Sequence, residues 1–122
     1  MKNNSSRFLT ESESYLIKFL FPKLENQFLE KIPVLDMNEG MGSLYFPKIN
    51  LSRNERYPIS ILNEILIKDL DGVDILITLF LDNSGDLFEL DIWKVDFNKP
   101  SIVYNLEELK EALKIGTKNI YL

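Results

Sequence analysis

The stretch that decides the fold runs from Asp74 to Phe97 and reads DILITLFLDNSGDLFELDIWKVDF. Two apolar segments, 73–82 and 87–97, flank a polar turn that contains glycine, which is the pattern of a β-hairpin. An earlier turn signal, Asp71-Gly72, joins this hairpin to a further strand predicted over 63–69. The three segments therefore predict an antiparallel meander.

The register of the hairpin follows from its side chains, because a slip of one residue would exchange the two faces of a strand. Loops of two and four residues give the same pairing, whereas a three-residue loop would set Leu79 against Glu89 and mix the faces. The apolar face is expected to pair Leu81 with Phe88, Leu79 with Leu90 and Ile77 with Ile92. The other face is expected to pair Phe80 with Glu89, Thr78 with Asp91 and Leu76 with Trp93.

Helices are expected both before and after these strands along the chain. Thr10 and Glu13 have the spacing of a capping box, which predicts a helix start. Apolar residues at helical spacing continue past Pro22, either as two short helices or as one kinked helix. Near the end of the chain, Asn105 precedes LEELKEAL and Gly116 is a stop signal, which predicts a C-terminal helix.

The segment between the first helices and the meander contains two more strand signals. Val34 to Phe46 reads VLDMNEGMGSLYF and has short apolar runs on either side of Gly40 and Gly42. The next segment, 47–60, has two prolines and no clean period, and is interpreted as a connection. The expected fold is α+β: one domain over 1–122, with an antiparallel sheet of about four or five strands, N-terminal helices and one C-terminal helix packed on one face.

The composition excludes several classes of function. The 122 residues are 45% hydrophobic and 27% charged, as in a globular protein. Cysteine and histidine are both absent, which removes disulfides, thiolate nucleophiles, the commonest general base and the commonest metal ligand. Segments that begin at Asp36 and Asp82 resemble the start of calcium loops but lack glutamate at the twelfth position. We therefore expect neither an enzyme nor a bound cofactor or metal.

The chain also lacks the signals of export and membrane insertion. Its polar start has no apolar signal segment, and no apolar run approaches the roughly 20 residues that span a bilayer. A cytoplasmic protein with no membrane partner is expected.

The formal net charge of −5 is concentrated in the central strands. Between Glu64 and Asp96 there are nine acidic residues and two lysines, a formal charge of −7, while the remaining residues carry +2. Nucleic acid is an improbable partner because its phosphates require clustered lysine and arginine. An acidic surface instead suits a basic protein. The residues predicted to contact it are Asp71, Asp74, Asp82, Asp86, Glu89, Asp91 and Trp93.

Two alternatives to this interpretation stay open. Acidic residues are common in turns and on the solvent-exposed face of any sheet, so these positions need not form a binding site. Trp93 is either an interface anchor or covered by another part of the chain. Paired carboxylates could also perform acid–base chemistry, for which Asp91 with Glu89 or Asp36 would be the pair.

Two segments, DMNEGMGSLYF at Asp36–Phe46 and GDLFELDIWKVDF at Gly85–Phe97, resemble the signatures of a family of small bacterial proteins encountered near polymorphic toxin genes. Where paired glycines are expected before MGSL, this chain has Glu39-Gly40. The resemblance implies an immunity protein that neutralises a cognate toxin domain, as in contact-dependent growth inhibition, with a basic nuclease as one candidate. The alternatives are a small interaction or ligand-binding module unrelated to toxins and, further off, a carboxylate-dependent enzyme. The oligomeric state is left open.

Overall fold

The computed structural model describes residues 6–37, 41–48 and 55–118. Within them the chain forms seven strands and three α-helices. The strands are β1 (Arg7–Phe8), β2 (Pro33–Asp36), β3 (Leu44–Tyr45), β4 (Pro58–Lys68), β5 (Asp74–Asp82), β6 (Leu87–Lys94) and β7 (Thr117–Lys118). The helices are α1 (Glu11–Leu20), α2 (Asn26–Leu29) and α3 (Leu106–Ile115), and a short 3₁₀ helix covers Ile102–Tyr104.

All seven strands belong to one sheet in the order β1-β2-β3-β6-β5-β4-β7, and every neighbouring pair is antiparallel. The predicted α+β class and the β4-β5-β6 meander are confirmed. The predicted number of four or five strands is too low. Both β1 and β7 are two residues long, and a strand of that length has no alternation that a sequence pattern can show.

The hairpin of β5 and β6 has the expected register along most of its length. Five of the six predicted pairs are confirmed. The exception is the pair nearest the turn, because the register shifts after Phe80 and Leu81 pairs with Leu87 instead of Phe88. Leu87 consequently packs against the core, and Phe88 is buried outside the core cluster, with its ring 5.6 Å from that of Tyr45. A shift of this kind at the end of a strand re-aims a side chain.

The limits of β4 and β6 also differ from the predicted ones. β4 begins at Pro58, inside the segment that was interpreted as a connection, and its pairing with β5 is irregular between Pro58 and Ser60 and between Ile61 and Asn63. Those irregularities hide the alternation. β6 ends at Lys94, and the chain then leaves the sheet through a turn in which Phe97 has a φ of 65°.

Both predicted helix starts are confirmed. The hydroxyl of Thr10 accepts a hydrogen bond from the backbone N–H of Glu13, whose carboxylate accepts one from the N–H of Thr10 at 2.8 Å. The side chain of Asn105 likewise accepts from the N–H of Glu108, and α3 ends immediately before Gly116. The N-terminal helical region consists of two separate helices, since α1 ends ahead of Pro22.

The glycine-containing connection between β2 and β3 is described only in part. The two predicted strands are present and pair Leu35 with Tyr45 and Asp36 with Leu44. Gly42 has a φ of +100°, whereas the predicted turn position Gly40 lies outside the described residues.

The helices α1 and α3 pack on one side of the sheet and enclose the core there. Each strand of the meander contributes every second residue to this core, as the alternation of side chains along a strand requires. The core includes Leu16, Ile17 and Leu20 from α1, Leu109 and Leu113 from α3, and Ile65, Ile67, Ile75, Ile77, Leu79, Leu90 and Ile92 from the strands.

The contact between Gly116 and β4 gives a stability test. A Cβ at Gly116 would lie 2.7 Å from Cδ1 of Ile65 and 2.9 Å from Cγ2 of Ile67, both too close for packing without movement. Gly116→Ala should therefore reduce the free energy of unfolding by about 1–3 kcal/mol in denaturant titrations. Adding Ile65→Val, which removes the closest methyl group, should recover part of that loss. If the losses in free energy of unfolding caused by Gly116→Ala and Ile65→Val simply added, the proposed clash between the two residues would be contradicted.

Candidate protein-binding face

The side of the sheet away from α1 and α3 carries the residues between the core positions of the meander, and we call it the outer face. Pairing across the strands arranges its side chains in three adjacent rows. The rows are Tyr45, Glu89, Phe80 and Ile61; then Asp91, Thr78 and Glu64; then Trp93, Leu76 and Leu66. Three residues predicted to contact a partner, Glu89, Asp91 and Trp93, lie together on this face.

Trp93 is the largest exposed residue of the outer face. It is 44% exposed, and its ring lies 6.2 Å from that of Phe97, which is 73% exposed. Leu66 and Leu76 are its half-buried row neighbours. The two aromatic residues therefore present an apolar surface to the solvent, and the described part of the chain does not cover Trp93.

The middle row contains two carboxylates on either side of a hydroxyl. Thr78 donates a hydrogen bond to Oε2 of Glu64 at 2.6 Å, and the hydroxyl of Ser43 lies 3.3 Å from Oδ1 of Asp91. Glu64 is only 2% exposed, and its Oε1 is buried without a hydrogen-bond partner. Neither carboxylate forms an ion pair with any of the described residues.

Glu64 was not among the predicted contact residues. It faces Thr78 because β4 and β5 pair Glu64 with that residue, and this register follows two irregularities in β4. The sequence could indicate this position of Glu64 only through the register between β4 and β5, which sets the outward-facing Thr78 opposite Glu64.

A second group of predicted contact residues lies at the turn between β4 and β5. The buried amine of Lys94 lies 2.8 Å from Oδ2 of Asp69 and 2.6 Å from Oδ2 of Asp71. The hydrogen bonds that Lys94 donates to the two carboxylates raise the pKa of Lys94, and the one to Asp71 lowers the pKa of Asp71. Burial opposes ionisation of Asp69, but Lys94 and the backbone N–H groups of Ser101, Leu70 and Ile102 bring its pKa below the ordinary value.

A third group lies at the turn between β5 and β6. Asp82 is fully buried and accepts hydrogen bonds from Nε of Arg56 at 2.9 Å and from the backbone N–H groups of Ser84 and Asp86. Burial acts against its charged form, but the N–H of Asp86 and the guanidinium of Arg56 lower its pKa. Asp86 itself pairs with Lys48 at 2.5 Å.

These positions correct two parts of the sequence-based interpretation. Asp82 cannot contact a partner because its carboxylate is enclosed by the turn and by Arg56. The predicted residues also do not form one continuous acidic surface, since the two ends of β5, Asp74 and Asp82, are about 27 Å apart along the strand. Asp74 lies on the outer face but pairs with Lys68 at 2.8 Å.

The proposed pair of Asp91 with Asp36 is not assembled. Asp36 aligns with Leu44 and Leu90, which belong to the core side of the sheet, whereas Asp91 lies on the outer face. Asp36 instead accepts two hydrogen bonds from the guanidinium of Arg7, which lower its pKa. The geometry therefore does not bring this pair together for acid–base chemistry.

Two further classes of site are absent from residues 6–37, 41–48 and 55–118. No group of three or more acidic side chains in these ranges is arranged to hold a metal ion. Among the same residues, no helix has both the length and the apolar character needed to cross a bilayer.

The fold and this face define a small α+β protein built on one antiparallel sheet, with helices on one side and an aromatic, acidic surface on the other. The chain belongs to the family described as a domain of unknown function (DUF6984), whose model matches residues 6–102. That range includes β1 to β6, and therefore the whole outer face and the ion pairs at both turns. Neither a curated protein nor a solved structure matches the chain significantly.

The ion pair of Asp69 and Lys94 predicts a specific pH dependence of stability. Because the folded-state pKa of Asp69 is lowered, its contribution is present above the unfolded-state value of about 3.9 and is lost as the pH falls through the folded value. Asp69→Asn should reduce the free energy of unfolding by about 2 kcal/mol at pH 7 and flatten its decline below pH 5.

The control for this measurement is Asp96→Asn, which changes an exposed carboxylate in the turn after β6. Its denaturation profile between pH 7 and 2 should follow that of the wild type. If the free energy of unfolding of Asp69→Asn declined below pH 5 as steeply as that of the wild type, the stabilising role of the Asp69–Lys94 ion pair would be contradicted.

The buried carboxylate of Glu64 predicts an unusual response to neutralisation. Its Oε1 is desolvated without a compensating hydrogen bond, and such burial opposes folding. Glu64→Gln keeps an acceptor for Thr78 and removes the charge, so it should leave stability at pH 7 unchanged or raise it by about 1 kcal/mol. Glu111→Gln, on the exposed side of α3, serves as the control. A loss of more than 1 kcal/mol in Glu64→Gln alone would refute this interpretation.

Proposed function

We propose that this chain is an immunity protein that binds a cognate bacterial toxin domain through the outer face and thereby neutralises it. The observation that carries the proposal is the exposed pair of Trp93 and Phe97 beside Asp91, a carboxylate with no ion pair among the described residues. It acts in the cytoplasm, by binding and without catalysis, and needs no cofactor.

The aromatic pair supplies the apolar part of the interface. Tryptophan is enriched among the few residues that dominate binding energy, and such anchors are typically surrounded by polar residues that exclude water. Trp93 extends an apolar row with Leu76 and Leu66, and the polar row of Asp91 lies beside it. A partner that covers the two rings would remove exposed apolar area from water without rearranging the sheet.

Asp91 supplies the charged part of the interface. None of the described lysine or arginine side chains forms an ion pair with it, and the hydroxyl of Ser43 leaves its second oxygen available to a lysine or arginine of the partner. The net charge of −5 favours the approach of a basic protein. Because four of the predicted acidic residues are ion-paired, this attraction is more local than the sequence alone suggests.

The choice of a toxin as the partner rests on the resemblance of DMNEGMGSLYF and GDLFELDIWKVDF to proteins encoded near toxin genes. A non-toxin protein would use the same face, and the gene neighbourhood distinguishes the two. A toxin gene beside this one supports the proposal, and its absence favours a general interaction module.

The test is binding of the adjacent toxin domain to variants of the outer face, measured by calorimetry together with inhibition of the toxin. Trp93→Ala should raise Kd by about 30-fold or more, as loss of an anchor worth about 2 kcal/mol requires. Asp91→Asn should raise Kd by about five-fold and reduce its dependence on salt, since it removes a partly exposed charge pair.

The matched control is Phe8→Ala, because Phe8 is also an exposed aromatic residue but belongs to the edge strand β1. Its Kd should stay within about two-fold of the wild type. Wild-type affinity in Trp93→Ala would remove the outer face as the binding site, whatever the partner is.

A further inference from the structure

We propose a second binding site, distinct from the outer face, that takes an amphipathic anion with an apolar body. The site is a groove between the segment that follows α1 and the turn between β5 and β6, and we call it the Lys31 groove. Its volume is about 510 Å³, within the range of small-molecule sites. Its apolar lining includes the large side chains of Phe21, Leu24, Phe28, Ile32, Phe46 and Leu87.

The floor of the Lys31 groove is part of the core and is therefore preformed. Ile32 and Phe46 are buried members of the core cluster, and Leu87 packs against that cluster because of the register shift after Phe80. Phe28 lies at the mouth and is 56% exposed. An apolar ligand could cover this ring and the floor without displacing any side chain of the core.

The charge of the lining is opposite to that of the whole protein. Three cationic residues line the groove, Lys31, Lys48 and Arg56, against a single carboxylate, Asp86. Asp82 neutralises Arg56 and Asp86 neutralises Lys48, so the local positive charge in this chain of net charge −5 is that of Lys31. An anionic ligand would be attracted there and repelled by much of the remaining surface.

Lys31 is the cation that a ligand can engage. The guanidinium of Arg56 is already bonded to Asp82, the hydroxyl of Tyr45 and two backbone carbonyl groups, and Lys48 pairs with Asp86. Lys31 forms no ion pair with any residue in the described ranges and is exposed at the rim. One free cation above an apolar floor suits a single negative head attached to a hydrocarbon chain. A polyanion such as a nucleotide triphosphate would need more cations than this.

The test uses decanoate as the probe, with the uncharged alcohol decanol as its comparison, on the full chain. Calorimetry should give saturable binding of one decanoate per chain, and methyl resonances of Ile32 and Leu87 should shift. Trp93 fluorescence should stay unchanged because that residue lies on the outer face, which separates groove binding from detergent-like unfolding.

Two variants of exposed residues, with one control, separate the charged contact of the site from its apolar contact. Lys31→Met should weaken decanoate about five-fold and leave decanol unchanged, because it removes the charge and keeps the chain length. Phe28→Ser should weaken both ligands. Lys99→Met, an exposed lysine outside the groove, should bind both like the wild type. Toxin binding should be unaffected by all three, so the two proposals can fail separately.

The proposal is overturned if the wild-type chain shows no saturable decanoate binding below the micellar concentration. It is equally overturned if the shifts appear on the outer face instead of at Ile32 and Leu87, or if Lys31→Met and Lys99→Met weaken decanoate to the same extent.

Discussion

The buried ion pair of Arg56 and Asp82 holds the arrangement of this protein together. Arg56 reaches the turn between β5 and β6 through Asp82, the carbonyl group of Leu87 at the start of β6, and the hydroxyl of Tyr45 in β3. One guanidinium thus connects the hairpin of β5 and β6 to β3, which is distant from it in sequence. Its position over the rings of Phe88 and Tyr45 accompanies the shift that sends Leu87 into the core, so the same contact shapes one end of both the core and the outer face.

The carboxylates of the meander divide into two kinds according to their partners. Those at the two turns stabilise the fold, because each turn encloses a charged side chain of opposite sign, Lys94 at one end and Arg56 at the other. Those of the middle row, Glu64 and Asp91, are bonded to hydroxyl groups and form no ion pair with the described residues. Buried pairs at the turns contribute little to the external field, whereas an approaching cation would meet Asp91, the partly exposed carboxylate of the middle row.

Local patterns could be read from the sequence, and contacts between distant residues could not. The starts of α1 and α3 depend on side chains three residues apart, and the register of β5 and β6 depends on alternation within one hairpin, so both were predictable. Leu87, which pairs with Leu81, is bonded through its carbonyl group to Arg56, and Asp86 is paired with Lys48; neither cation is near in sequence. For the same reason, the position of Glu64 opposite Thr78 required the register of β4, which its irregular start concealed.

The irregular start of β4 has a consequence for behaviour at high concentration. Among the described residues, β7 covers the outer edge of β4 only at Ile65 and Leu66, while the earlier part of the strand carries the exposed Ile59 and Ile61. A long, flat, apolar edge would template the addition of a strand from another molecule and lead to aggregation. Ile59 and Leu62, which have no partner residue in β5, break the even spacing of backbone donors and acceptors in β4, so a second chain finds no continuous ladder to extend.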